Sequence, residues 1–242
     1  MGTEVHADPM EGSGGRGQPP LSDPGVLAAL APLRELRWRH PVEVGLHAAS
    51  IPCPPCDRMD SFARALLRSA PNLSLEFVAP AGLDQTGEAA PVPWLRFPEP
   101  SRIRFLGAPG SALSPAFAGL LMEAVQGPGP LDPTLREVLR QILRRHHLRL
   151  FVSEQGPDSS PVLWALGRWV LHDERHLRLD VISVDQMPDL SRHFGVRTIP
   201  ALRVDDFAHF YASPDPRELS GALRDVLPDG GWPATDSPGA GR

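Results

Sequence analysis

The sequence predicts an α/β protein made of two tandem units with mixed sheets flanked by helices. Three observations carry that expectation. Strand-like and helix-like segments alternate, the same order of elements occurs twice, and Gly127-Pro128-Gly129-Pro130 separates the two runs. A chain of 242 residues is long enough for two cores of roughly 100 residues each. The expected division is a first unit over 22–128 and a second over 129–228. Residues 1–21 and 229–242, rich in Gly and Pro and without apolar periodicity, read as disordered tails.

Each unit opens on an Asp-Pro helix start. Asp23-Pro24 leads into Val26, Leu27, Leu30, Leu33 and Leu36 and ends in Arg37-Trp38-Arg39-His40; Asp132-Pro133 leads into Leu135, Leu139, Ile142 and Leu143 and ends in Arg144-Arg145-His146-His147. A strand follows each time, over 42–48 and over 148–153. Next comes a helix, from Pro54 to about Ser69 in the first unit and from about Ser160 to His172 in the second. Further strands are expected at 73–79 and 177–184. Each unit then reaches a Val/Ile-Pro step in a strand, Val92-Pro93-Trp94-Leu95 and Ile199-Pro200-Ala201-Leu202. Proline is tolerated in a strand only at an edge, at its first residue or at a bulge, so its recurrence at matching places is informative.

Composition removes several chemistries. The 24 basic residues counted as Lys plus Arg include no lysine, which excludes a Schiff-base lysine and a Walker-type phosphate loop. With 29 acidic residues the net charge is −5, giving no electrostatic footprint for nucleic acid. Apolar runs fall short of the roughly 18 residues that cross a bilayer, and the N-terminal stretch is acidic and Gly-rich, so a cytoplasmic protein without membrane contact is expected. Gly12, Gly14 and Gly17 spell a dinucleotide fingerprint, but no strand precedes them and Gln18-Pro19-Pro20 blocks the helix whose N-terminus would hold phosphate.

Chemistry therefore concentrates on the only two cysteines. Cys53-Pro54-Pro55-Cys56 stands where a strand has ended and a helix begins. Two prolines suit a first helical turn, so Cys53 is expected near the N-cap, where the positive end of the helix dipole favours a thiolate. Cys56 lies one turn later on the same face, able to close a small disulfide.

This constellation resembles the thioredoxin superfamily: CxxC after the first core strand, then a strand-opening proline, here Pro93 after Val92, that the family holds in cis beside the cysteines. The likeness is closer to double-thioredoxin-fold, glutaredoxin-like protein disulfide oxidoreductases and to the N-terminal region of alkyl hydroperoxide reductase flavoproteins, whose hydrophobic strand and Gly-x-Pro turn are similar to 102–110. It spans about 22–228 and implies two tandem thioredoxin-like domains. The implied activity is thiol-disulfide exchange by Cys53 and Cys56 with no cofactor and no metal. Val92, Pro93 and Pro52 would contact substrate, and His47, at the place of a buried acid in many thioredoxins, would transfer a proton. A flavoprotein reductase or thiol pool would restore the dithiol, and a peroxiredoxin or another disulfide-bearing protein would be the client. The second unit has Gly156 and Ser159 at the cysteine positions while keeping Ile199 and Pro200, a degenerate site without redox chemistry. The first unit departs from the pattern at 80–91, where no helix is expected.

Other readings stand beside this one. One is a non-catalytic adaptor that binds a protein partner in its proline-lined grooves. Another leaves the two thiols inert, and a third makes them half of a tetrahedral metal site that needs more ligands. His172 and His176 have metal-ligand spacing but fall where a helix should end. Ser159 and Ser160 lack a nucleophile elbow, and Arg136, Arg140 and Arg144 form a helical stripe of a kind that is ordinarily solvated.

Overall fold

A computed structural model of the chain describes residues 23–38, 41–45, 53–78, 92–154, 156–205 and 208–226. The first unit contains α1 (Pro24–Leu30), continued by a 3-10 turn over Ala31–Glu35, then β1 (Val42–Gly45), α2 (Pro54–Ser69), β2 (Leu75–Val78), β3 (Trp94–Arg96), β4 (Ile103–Leu106) and α3 (Ser114–Gln126). The second contains α4 (Pro133–Arg140), β5 (His146–Val152), α5 (Ser159–His172), β6 (Leu177–Ser183), α6 (Pro188–His193), β7 (Ala201–Val204), β8 (Ala208–Tyr211) and α7 (Pro216–Val226). The Asp-Pro starts act as expected: the Asp23 side chain accepts from the Gly25 N–H at 2.8 Å.

The sheets of the two units join edge to edge. One eight-stranded sheet runs β2-β1-β3-β4-β6-β5-β7-β8, so each unit contributes four strands in the same relative order. In both, the first two strands are parallel and the last two antiparallel. The seam is the parallel pair β4–β6, from Ile103 opposite Leu179 to Leu106 opposite Ile182. Since β1, β4, β5 and β6 all run the same way, the loop after β1 and the loop after β5 emerge at one end of the sheet.

Alternation along the strands separates two cores. Leu95, Ile103, Phe105, Leu148, Leu150, Leu179 and Val181 face the helices, in a large core with Phe62, Phe97 and Phe117. Phe117 meets Phe62, Phe97 and Phe105 edge to face at 5.1–5.3 Å. On the other face Leu106, Phe151, Ile182 and Ala201 form a smaller core with Met187, Leu190 and Phe194 around α6. Beside it lies a charged row in register across six strands: Glu43, Arg96, Arg104, Asp180, Arg149 and Arg203. Glu43 pairs with Arg96 at 2.9 Å and Asp180 with Arg104 at 2.8 Å, so the second pair crosses the seam.

The helical layer crosses the seam too. α3 packs on α5 where glycines let the axes approach: a Cβ at Gly119 would lie 2.6 Å from Trp164 Cζ3, and one at Gly167 2.7 Å from Leu120 Cδ2. Leu120 is fully buried and cannot yield. A Gly167→Ala variant is therefore expected to lose about 1–3 kcal/mol in urea denaturation. Gly221→Ala in α7, with no atom within 4 Å of its Cβ, should gain about 0.5–1 kcal/mol. Equal effects at the two sites would refute this account of the α3–α5 packing.

Three expectations need correction. β5 begins at His146 rather than Leu148, because the His146 N–H reaches the His176 carbonyl (2.7 Å) and the His147 N–H reaches Asp205 Oδ1 (2.8 Å). The preceding helix stops at Arg140, so Arg144 lies beyond it. Among the described residues the cis peptide bonds are Glu99–Pro100 and Ile199–Pro200; Val92–Pro93 is not one of them. β8 and α7 have no counterpart among the expected elements. No described helix is long and apolar enough to cross a membrane.

Candidate active site

Cys53 is the N-cap of α2, and the sequence explains why. Pro54 and Pro55 occupy the first two helical positions and have no N–H, so Cys56 and Asp57 supply the first two donors of the helix. Both turn toward Cys53: its carbonyl accepts from Cys56 N (2.9 Å) and Asp57 N (3.1 Å), and its Sγ accepts from Cys56 N at 3.3 Å. The two cysteines form a disulfide with Cα atoms 5.2 Å apart. Cys53 is half-buried, whereas Cys56 is only 7% exposed. After reduction, the accessible sulfur is the one at the helix dipole's positive end, which suits it for attack.

Val92 and Pro93 reach the same end of the sheet, since Trp94, the first residue of β3, pairs with Gly45, the last of β1. The Pro93 carbonyl accepts from Gly107 N at 3.0 Å, while the Val92 backbone has no hydrogen-bond partner among the described residues. His47 and Pro52 lie outside the described residues.

The second unit repeats this geometry with its helix starting two residues later. The Ser159 N–H donates to the Gly156 carbonyl at 3.2 Å, as Cys56 does to Cys53, but α5 begins only at Ser159. Gly156 is therefore not a cap, and Ser159, fully buried, accepts from the Ser153 N–H at 3.3 Å. Ile199, at the cis bond to Pro200, is 40% exposed and precedes β7 at this same end.

Tertiary contacts bring in residues that no local pattern marked. Arg58, in the second turn of α2, lies 3.8 Å from Glu154 in the second unit. Glu154 Oε1 accepts from Gln186 Nε2 (2.6 Å), and the Gln186 amide also grips both backbone groups of Ala108, at 3.0 and 2.8 Å. A single carboxylate oxygen of Asp185 accepts from Ser153 Oγ (2.9 Å) and Glu154 N (2.7 Å). Arg58, Glu154 and Gln186 thus tie the cysteine helix to the second unit's loop and to the Gly107–Gly110 turn. The Glu154 side chain packs closely on Gly110, where a Cβ would come within 2.6 Å of it. These residues are far apart in sequence, and only the seam register joins them.

The spaced histidines have other partners. His172 Nε2 bonds the Gly129 carbonyl (2.9 Å) and His176 Nδ1 bonds Asp173 (2.9 Å). Among the described residues no cluster of three His, Cys, Asp or Glu has metal-site geometry.

No family model matches the sequence. No curated protein matches it either. Solved structures do. The AhpF protein of the Enterococcus faecalis alkylhydroperoxide reductase is similar over 84% of this chain and 99% of its own, at 18% identity and a TM-score of 0.64. A protein disulfide oxidoreductase from Aeropyrum pernix is similar over 86% of this chain and 94% of its own, at 17% identity and a TM-score of 0.64. The fold of this chain is accordingly that of two tandem thioredoxin-like units, with the Cys53–Cys56 pair in the first.

Proposed function

We propose that the chain is a dithiol-disulfide oxidoreductase acting on protein disulfides. The observation that carries this reading is the half-exposed Cys53 at the N-cap of α2, joined to the buried Cys56 one turn later. The Cys53 thiolate attacks a client disulfide, forms a mixed disulfide and releases one client thiolate. The Cys56 thiolate then attacks Cys53 Sγ, releases the second, and leaves Cys53–Cys56 oxidised by two electrons. An extended client segment would pair with the Val92 backbone beside Pro93. The second unit carries no thiol and serves as a scaffold. The similarity to an alkylhydroperoxide reductase protein supports a peroxiredoxin-type client, with a flavoprotein reductase or a thiol pool returning the electrons.

Trapping tests the reading. A Cys56→Ser variant retains the attacking sulfur but cannot resolve the adduct, so client proteins should accumulate on Cys53 as mixed disulfides visible by non-reducing electrophoresis and mass spectrometry. Absence of any adduct across several oxidising conditions would count decisively against it.

A further inference from the structure

Because β4, β5 and β6 run the same way, the segments that precede them meet at the end of the sheet opposite the cysteines. There they line a cleft of about 600 Å³, with Glu99 and Arg102 before β4, Arg145 before β5, and Glu174 and Arg175 before β6. None of these five charged side chains has a hydrogen-bond or ion-pair partner among the described residues. His176, which also lines the cleft, is held by Asp173 at 2.9 Å. The five unpaired charges are spread in order. Along β4-β6-β5, Glu99 stands at one flank and Arg145 at the other, with Glu174 and Arg175 between them. Burial pushes the Glu174 carboxyl up, the neighbouring Glu99 charge adds to the rise, and Arg102 opposes it. The β4 flank is therefore an acidic wall that Arg102 offsets in part, and the β5 flank is basic. Two strand spacings, about 10 Å, separate the flanks. Apolar surface comes from Pro100 and from Leu143, which is 74% exposed. Ser101, between two lining residues, keeps a buried hydroxyl without a partner among the described residues.

We propose that this cleft binds a zwitterion of the class of a tripeptide with free ends, its ammonium between Glu99 and Glu174 and its carboxylate on Arg145 and Arg175. Three residues in extended form span about 10 Å, which matches the separation of the two flanks. Guanidinium forks suit a terminal carboxylate, and two carboxylates that disfavour each other's charge suit an ammonium. A plain anion would satisfy the arginines and leave Glu99 and Glu174 unneutralised. Pro100 and Leu143 favour an apolar residue in the middle of the peptide. The site lies at the other end of the sheet from Cys53, and the inference stands independently of disulfide exchange.

The test titrates the full-length protein calorimetrically, at low ionic strength, with the tripeptide Ala-Leu-Ala and with its N-acetylated and C-amidated forms. The free tripeptide should bind. Blocking either end should weaken it about 10-fold or more, the loss expected when a charge-assisted hydrogen bond is removed. Two variants assign the ends. Glu174→Gln should remove most of the penalty for acetylation and keep that for amidation, and Arg145→Gln should do the reverse. Circular dichroism checks that both variants keep the fold. An acetylated peptide that binds as well as the free one would reduce the cleft to an anion site and overturn the zwitterion. Penalties that neither variant changes would overturn the placement of its ends. No binding of the free tripeptide at millimolar concentration would overturn the site itself.

Discussion

A Cys53→Ser variant loses exchange altogether, its rate with hydroxyethyl disulfide falling to that of the buffer reaction. Serine at the N-cap preserves the helix start, because its Oγ accepts an N–H as well as sulfur does. The loss therefore reports chemistry and not unfolding, which circular dichroism would verify. Cys56→Ser behaves differently: its first attack proceeds and one equivalent of thiol is released, since the half-exposed Cys53 remains at the head of α2. If the two variants exchange roles, with Cys53→Ser forming the adduct, the buried Cys56 is the nucleophile and the site is misread. An adaptor would show neither effect, binding its partner equally well after Cys53→Ser.

Replacing Asp180 with alanine costs about 3–5 kcal/mol, because it strands a buried charge. Asp180 is 3% exposed at the centre of the sheet, held by Arg104 across the seam (2.8 and 3.1 Å) and by His147 Nε2 (2.8 Å), with Arg178 at 3.7 Å. Burial by itself would raise its pKa. The hydrogen bonds from His147 and Arg104 outweigh that and hold the carboxyl well below the usual range. His147 is shifted down chiefly by burial, against an opposing hydrogen bond to Asp180. Asp180 can only accept, so His147 Nε2 donates to it, while an Arg178 nitrogen lies about equally near His147 Nδ1 (3.2 Å) and Nε2 (3.1 Å). Both folded-state pKa values lie below the unfolded ones, so the unfolded chain binds more protons and stability falls with acidification. The decline begins as pH drops below the ordinary histidine value of 6.5 and steepens below the ordinary aspartate value of 3.8. Thermal melts should show Asp180→Ala lower in Tm by roughly 6–20 °C at neutral pH. The variant should also lack the steeper loss below pH 3.8. A change below about 1 kcal/mol would mean that the charged row is dispensable.

Local chemistry was legible in the sequence, and lateral assembly was not. The prolines after Cys53, the Asp-Pro starts and the Gly107–Gly110 turn each act through their own backbone, so their consequences can be read from a few letters. The register of β4 on β6 is different. It depends on Arg104 meeting Asp180 and on Leu120 meeting Gly167, contacts between residues tens of positions apart with no periodicity to link them. The same reasoning explains why nothing local marks Glu154 and Gln186 as neighbours of the cysteines. β8 escapes a sequence reading because Ala208–Tyr211 is short, whereas α7 starts on Asp215-Pro216, the same Asp-Pro signal as α1 and α4, with the Asp215 side chain accepting from the Arg217 N–H at 2.8 Å. The expected start of β5 fails because the Arg-Arg-His-His run looks like a helix end, whereas Asp205, reaching back from beyond β7, draws both histidines into the ladder.

The β4–β6 seam also governs how the chain can be divided. Its order of elements is duplicated, yet it does not fall into two modules at the glycine-proline stretch between them. A cut at 127–130 would bare β4 on one fragment and β6 on the other, each a raw edge able to recruit foreign strands. It would also part Arg104 from Asp180, breaking the ion pair buried at the seam. The half that bears the cysteines is thus no transplantable cassette.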